Sequence, residues 1–252
     1  MTALTREAAR VLSAVQFLTR LPVPDPGWEE GRMRHAARYF ALVGAGVGLL
    51  AALVWLVAGV VLPAPIAAGL ALATAIALTG ALHEDGLADT ADGLGATTRE
   101  RALEIMRDSR IGAYACLTLV LTLGLRWAAL AALSPGAGAL ALVLAASTGR
   151  GMMVAAAALS EPARTDGLGA GFRVAPADLP LALAVPGLLS IACGWGGVLA
   201  LLLGALAAAL IVRQLIARLG GYTGDGLGAV AALSETAVLL VLAAVWGGGG
   251  WA

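Results

Sequence analysis

Three aspartates recur at i, i+4 and i+7 in the segment His83-Glu84-Asp85-Gly86-Leu87-Ala88-Asp89-Thr90-Ala91-Asp92-Gly93. On a helix, Asp85, Asp89 and Asp92 fall within an arc of about 60°, so their carboxylates share one face. Anions that close repel by about 4 kcal/mol per pair at 4 Å in a partly screened site. A divalent cation removes that penalty, and oxygen-only ligands favour Mg²⁺ or Mn²⁺ over zinc. The competing reading is a solvated acidic loop, which is weakened by the sparsity of acidic residues, 16 in 252. His83, which opens the segment, is an interfacial residue or a substrate contact.

Downstream, Arg99-Glu100-Arg101-Ala102-Leu103-Glu104 reads as an ordinary amphipathic helix with glutamates placed to pair with arginines. It runs into Ile105-Met106-Arg107-Asp108-Ser109-Arg110-Ile111-Gly112, where Arg107 and Arg110 could clamp phosphate oxygens bidentately. The phrase Asp-Gly-Leu-Gly-Ala occurs three times, beginning at Asp92, Asp166 and Asp225. Its glycines allow a sharp bend or a close approach, and its aspartate is available to a cation or hydroxyl, although Asp-Gly is also a common turn. The last copy carries the stronger signal. Gly220-Gly221-Tyr222-Thr223-Gly224 leads into it, and Glu235 follows within an apolar run, where a carboxylate is costly unless it pairs or works. Cation-binding carboxylates beside arginines suit phosphoryl or nucleotidyl transfer.

The elements that must position these groups are membrane helices. The chain is 60% hydrophobic and 13% charged, with a mean hydropathy of +0.90. Soluble domains carry roughly 25% charged residues, and lipid accepts what water would not. A spanning helix needs about 20 apolar residues. On that scale the sequence predicts an all-α polytopic bundle of about seven spans, near 40–62, 65–82, 112–133, 137–159, 179–194, 196–217 and 229–246. The fifth is the weakest, interrupted by Pro180, Pro186 and Gly187. Residues 1–37 are expected at the membrane surface, with Leu12, Val15, Phe17 and Leu18 on one face, and 83–111 form the expected catalytic loop of a single membrane-embedded domain.

All basic residues are arginine, and they test this map. Arg6 to Arg38 precede the first span, Arg99 to Arg110 follow the second, Arg164 and Arg173 follow the fourth, and Arg218 follows the sixth. The alternate connections carry none, which is the positive-inside pattern for a cytoplasmic N-terminus. Arg126 and Arg150 instead lie well inside spans three and four, where a charge costs about 2.5–3.5 kcal/mol. Each is either a structural partner for a buried carboxylate or for helix carbonyls, or an anion site for a substrate reaching into the membrane. Cys116 and Cys193 sit in apolar stretches and read as packing residues. The basic residues track topology and form no patch, so no nucleic-acid partner is expected.

At these residues the chain resembles the cobalamin synthase (adenosylcobinamide-GDP ribazoletransferase) family of bacterial membrane enzymes. The resemblance covers nearly the whole chain. It rests on Phe17-Leu18-Thr19-Arg20-Leu21-Pro22-Val23-Pro24, on the acidic segment 83–93, on Ile105 to Gly112, on Gly167-Leu168-Gly169, and on Thr223-Gly224-Asp225 with Leu227-Gly228-Ala229. Two positions depart from the family pattern: Ala41 replaces a proline after Tyr39-Phe40, and Glu161-Pro162-Ala163-Arg164 lacks a tyrosine before the alanine. The resemblance implies attack by a hydroxyl of α-ribazole, or of its 5′-phosphate, on the cobinamide-side phosphorus of adenosylcobinamide-GDP, with GMP leaving. It implies Mg²⁺ held by Asp85, Asp89, Asp92 and Asp225, with Glu84 or an aspartate taking the proton. It places Arg20, His83, Arg107, Asp108, Arg110, Arg150, Thr223 and Asp225 with the substrates. It also implies a multi-pass protein of the bacterial cytoplasmic (inner) membrane, with lipid as a partner and a homo-oligomer left open. Two rivals are disfavoured. A CDP-alcohol phosphotransferase needs a longer Asp-Gly-Ala-Arg pattern, and a transporter would place its charges at the midplane.

Overall fold

The computed structural model describes residues 3–27, 31–164 and 174–247. Among them are eleven α-helices: α1 (Ala3–Leu18), α2 (Arg32–Ala36), α3 (Phe40–Gly59), α4 (Ala64–Thr79), α5 (Leu82–Leu94), α6 (Arg99–Ile105), α7 (Ala113–Ala131), α8 (Pro135–Leu159), α9 (Leu179–Ala192), α10 (Gly194–Leu219) and α11 (Gly224–Trp246). No strand forms among the described residues. One isolated parallel bridge joins Pro162 and Tyr222.

Each of the seven expected apolar runs is a helix, but they differ in reach. By length and composition five helices can cross a membrane: α3 extended back to Arg32, then α7, α8, α10 and α11. The pair α4 and α5 qualifies as a sixth only when taken together, and it is bent by 87°, as a broken span or a re-entrant loop would be. The seventh, α9, has 14 residues, roughly 21 Å at 1.5 Å per residue against a hydrocarbon core of about 30 Å. Its contacts nevertheless run the height of the bundle. Asp178, just before it, pairs with Arg38 at 2.9 Å, while Leu189 and Cys193 pack with Leu133 and Trp246 at the other end.

Close packing comes from small residues, as expected where lipid supplies no hydrophobic drive between helices. Along the antiparallel pair α3 and α8, a Cβ on Gly48 would stand 2.6 Å from the Leu142 carbonyl, and Gly138 lies against the Trp55 indole. Alanines 51, 52, 67, 68 and 71 are buried where α3 meets α4. Lipid is left to face leucines and valines such as Leu49, Leu53, Val57, Val120 and Leu202, all exposed.

The two ends of the bundle differ in chemistry. At one end Trp55 Nε1 donates to the Pro135 carbonyl at 2.8 Å and Trp127 Nε1 to the Pro65 carbonyl at 2.6 Å. At the other, arginines stitch the connections together. Arg99 donates to the carbonyls of Leu219 (2.7 Å) and Ala163 (2.5 Å), and Arg218 reaches those of Leu94 and Ala96. Phe17 of α1 stacks on Phe40 with ring centroids 5.5 Å apart, bringing the amphipathic N-terminal helix to this polar end. Within the segment 83–111 lie α5 and the short α6, joined and followed by turns.

Candidate active site

The break between α4 and α5 sets the site. Gly80 and Ala81 both take positive φ, 63° and 59°. A side chain at Gly80 would collide with Arg20, whose guanidinium end packs across it. The Arg20 amide donates to the Leu78 carbonyl at 2.7 Å. Beyond the bend, α5 runs between α7 and α11. It meets α11 through glycine on glycine, since a Cβ on Gly86 would lie 2.7 Å from the Asp225 carbonyl and 3.2 Å from Gly228 Cα.

This contact opens a cavity of about 210 Å³ at the polar end. Asp85 enters from α5, Asp225 from the first turn of α11, and Arg164 from the end of the α8 connection. Arg164 Nη2 stands 3.5 Å from Asp225 Oδ2, and its Nε and Nη1 have no hydrogen-bond partner among the described residues. His83 also lines the cavity, 2% exposed, with neither ring nitrogen hydrogen-bonded among the described residues. Phe17, Leu82, Met153 and Leu227 make the apolar wall. Asp89, one turn beyond Asp85, is half-buried and within electrostatic range of Asp85 and Asp225.

Backbone geometry carries Arg164 there. Ala163 N donates to the Tyr222 carbonyl at 2.7 Å and Tyr222 N to the Glu161 carbonyl at 2.9 Å. Gly221 permits the approach, because any Cβ there would overlap Glu161 and Pro162. In the sequence Arg164 reads as a topology marker and as the end of a phrase that departs from the family pattern, with no site role. The signal that could have found it was the Glu161-Pro162-Ala163-Arg164 phrase itself.

Other expected site residues lie elsewhere. Asp92 accepts from Gly112 N at 2.6 Å and Ala115 N at 2.9 Å. It thus caps α7, where an anion meets the positive end of the helix dipole, and its carboxylate is spent on backbone donors instead of joining Asp85. Thr223 is the N-cap of α11, its Oγ1 accepting from Gly226 N at 3.0 Å. Glu84 points away from the cavity, pairing with Arg126 at 3.1 Å. Arg150 pairs with Glu235 in the bundle interior, so of the two readings offered for it, the buried-carboxylate partner describes its position. Arg110 is exposed and forks onto Asp108, with Nε–Oδ1 2.9 Å and Nη2–Oδ2 2.5 Å. That contact holds the Asp108 carboxyl down at about 2. Asp108 and Arg110 line an open groove of about 500 Å³ that shares Asp92 and Gly112 but not Asp85 or Asp225. Arg107 is exposed in the same segment. The middle copy of the repeated phrase, from Asp166, lies outside the described residues.

The family model for cobalamin-5-phosphate synthase matches residues 10–243, nearly the whole chain. The chain belongs to this family. Among curated relatives, the adenosylcobinamide-GDP ribazoletransferase of Bradyrhizobium diazoefficiens is 46% identical over 238 residues, 92% of each chain. The protein of the same name from Leptothrix cholodnii is 44% identical, covering 98% of this chain and 99% of its own. That from Sinorhizobium medicae is 41% identical, covering 92% and 95%. No solved structure matches.

For a cobalamin-5-phosphate synthase, the donor set can be tested against Mg²⁺. Among the described residues no three His, Cys, Asp or Glu side chains converge as ligands, so an all-protein cage does not fit. Two carboxylates facing one cavity do fit, because Mg²⁺ commonly takes one or two carboxylates and completes its shell with waters and substrate phosphates.

Proposed function

We propose that this chain is an adenosylcobinamide-GDP ribazoletransferase. It joins α-ribazole, or α-ribazole 5′-phosphate, to the cobinamide phosphate of adenosylcobinamide-GDP and releases GMP. The observation that carries the reading is the cavity in which Asp85 and Asp225 face Arg164, two of whose guanidinium nitrogens have no partner among the described residues. Carboxylates for a cation opposite a fork-shaped donor make a place for a diphosphate.

The residues divide the work. Arg164 holds phosphate oxygens and faces the charge that grows on them as the bond to GMP breaks. Asp225, the acidic partner of Arg164, and Asp85 are the two oxygen donors that would hold Mg²⁺ together with the substrate's phosphates. When bound, Mg²⁺ supplies neutralisation of the diphosphate and of the departing GMP. The ribazole hydroxyl oxygen forms the new bond to phosphorus, the bond from that phosphorus to the GMP oxygen breaks, and Asp85 takes the hydroxyl proton. Phe17, Met153, Leu82 and Leu227 offer the flat ribazole base an apolar wall. Arginine placement supports a polar end that faces the cytoplasm, in a multi-pass protein of the bacterial inner membrane.

The test is substitution at the cavity. Asp85→Asn and Asp225→Asn in purified protein should each lower GMP release at least about 100-fold, while Asp108→Asn, outside the cavity, stays within a few-fold. Normal turnover in either cavity variant would overturn the assignment.

A further inference from the structure

One helical face away from the cavity lies a second polar cluster, buried in the body of the bundle. Arg126 of α7 places Nη1 3.1 Å from Glu84 Oε1 and 3.4 Å from Glu235 Oε2. Its Nε donates to Thr236 Oγ1 at 2.8 Å and its Nη2 to the Ala232 carbonyl at 2.5 Å. Arg150 of α8 pairs with the other oxygen of Glu235. The side chains of both arginines are 4% exposed and those of both glutamates 13%. Two cations and two anions balance, so four helices share one neutral knot at a depth where a lone charge is costly.

We infer that Arg126 and Glu84 are positioning residues for the reaction proposed above: their pair fixes the rotation of α5 against α11 and thereby sets Asp85 opposite Asp225. Three observations support this. Glu84 and Asp85 are neighbours on α5, turned about 100° apart by the helix, so anchoring one aims the other. The α5–α11 crossing is Gly86 on Gly228, flanked by Leu87 against Ala229 and Ala232, a close apolar contact with no polar bond to fix its rotation. The 87° break before α5 passes through Ala81 at φ 59°, a conformation that alanine rarely adopts and that needs support from outside. Arg126 gives that support with a planar fork whose three nitrogens each bind α5 or α11. A buried pair of this kind often adds little net stability, so what it contributes is orientation.

The kinetic arm of the test rests on the ribazoletransferase reading, and the exchange arm does not. Full-length Glu84→Gln, Arg126→Gln, the double variant and Arg126→Lys are purified in detergent. GMP release is measured for kcat and for KM of each substrate, and amide hydrogen exchange is followed in 82–94 and in 40–59. Each neutralising variant should lose about 100-fold in kcat, as a misplacement of about 1 Å does, with KM moving only about threefold or less. The double variant should be no worse than the worse single one. Arg126→Lys should recover about tenfold of the loss, keeping the charge but not the fork. Exchange should speed at least about tenfold in 82–94 and stay unchanged in 40–59. Unchanged kcat in the singles, additive losses, or exchange that quickens equally in both segments would overturn the inference. If the parent protein releases no GMP, the reaction assignment fails, and the exchange arm alone decides whether the pair orients α5.

Discussion

Arg164 is the residue on which the account stakes most, because sequence reasoning passed over it. Its ion pair with Asp225 is long, 3.5 Å, with 16% and 26% of the two side chains exposed. A partly solvated pair of that length contributes about 1 kcal/mol or less to stability. Removing Arg164 should therefore leave the fold nearly intact. Its unpartnered Nε and Nη1 are aimed at chemistry instead, and losing one preorganised donor to a developing anion costs about 2.7–4 kcal/mol, or 10²–10³ in kcat. Arg164→Ala should show that fall in GMP release, with thermal unfolding shifted by only a few degrees. Arg164→Lys, which keeps the charge without the fork, should fall between. The assay is initial-rate GMP release by detergent-purified protein at saturating substrates, alongside a thermal melt. An Arg164→Ala protein with parental kcat would show that the guanidinium serves Asp225 alone. One that unfolds by tens of degrees would show that it holds the loop rather than the phosphate.

Other outcomes follow from the same geometry. Gly86→Ala places a Cβ 2.7 Å from the Asp225 carbonyl, so α5 must move off α11; stability should fall by about 1–3 kcal/mol and kcat at least about 100-fold, read in one melt and one rate. Asp92→Ala removes the cap of α7 and should cost about 0.5–2 kcal/mol in denaturant stability, with a smaller loss in kcat than Asp85→Ala; equal losses would return Asp92 to the cavity set. The Asp108 carboxyl, held at about 2 by the Arg110 fork, is depressed below its unfolded value. Whatever it contributes is present above about pH 4 and lost only as pH falls towards 2. Asp108→Asn should accordingly leave the shape of the rate profile between pH 5 and 9 unchanged.

Much of this was legible in the sequence because it rests on local rules. Apolar run length marked every long helix, and turn residues such as Ser134-Pro135 and Gly194 marked where helices meet. The i, i+4, i+7 spacing matched the helix that α5 turned out to be, and Arg126 and Arg150 announced buried partners because a lone charge in lipid is untenable. Spacing could not show what each side chain bonds. Asp92 shares a face with Asp85 and Asp89 by periodicity, yet Gly112 and Ala115, 20 and 23 residues further along the chain, bring their amides to it. Glu84 carries the same charge as Asp85, but a rotation of about 100° sends it to Arg126 instead of the cavity. The reach of α4 and α9 also escaped composition, since it depends on where the backbone breaks: two positive-φ residues end α4 early, and the 14 residues of α9 rely on contacts at both ends. The place of Arg164 was hidden because it is set by Tyr222, which binds the backbone of Glu161 and Ala163 and which only the fold brings near.

The most direct measurement is GMP release by the purified, detergent-solubilised chain given adenosylcobinamide-GDP and α-ribazole, with Mg²⁺ and again with excess chelator. The account predicts one GMP for each cobalamin product formed, abolished by chelation and restored by Mg²⁺. No GMP from folded protein in the presence of Mg²⁺ would contradict the proposed reaction, and undiminished release under chelation would contradict the cation site at Asp85 and Asp225.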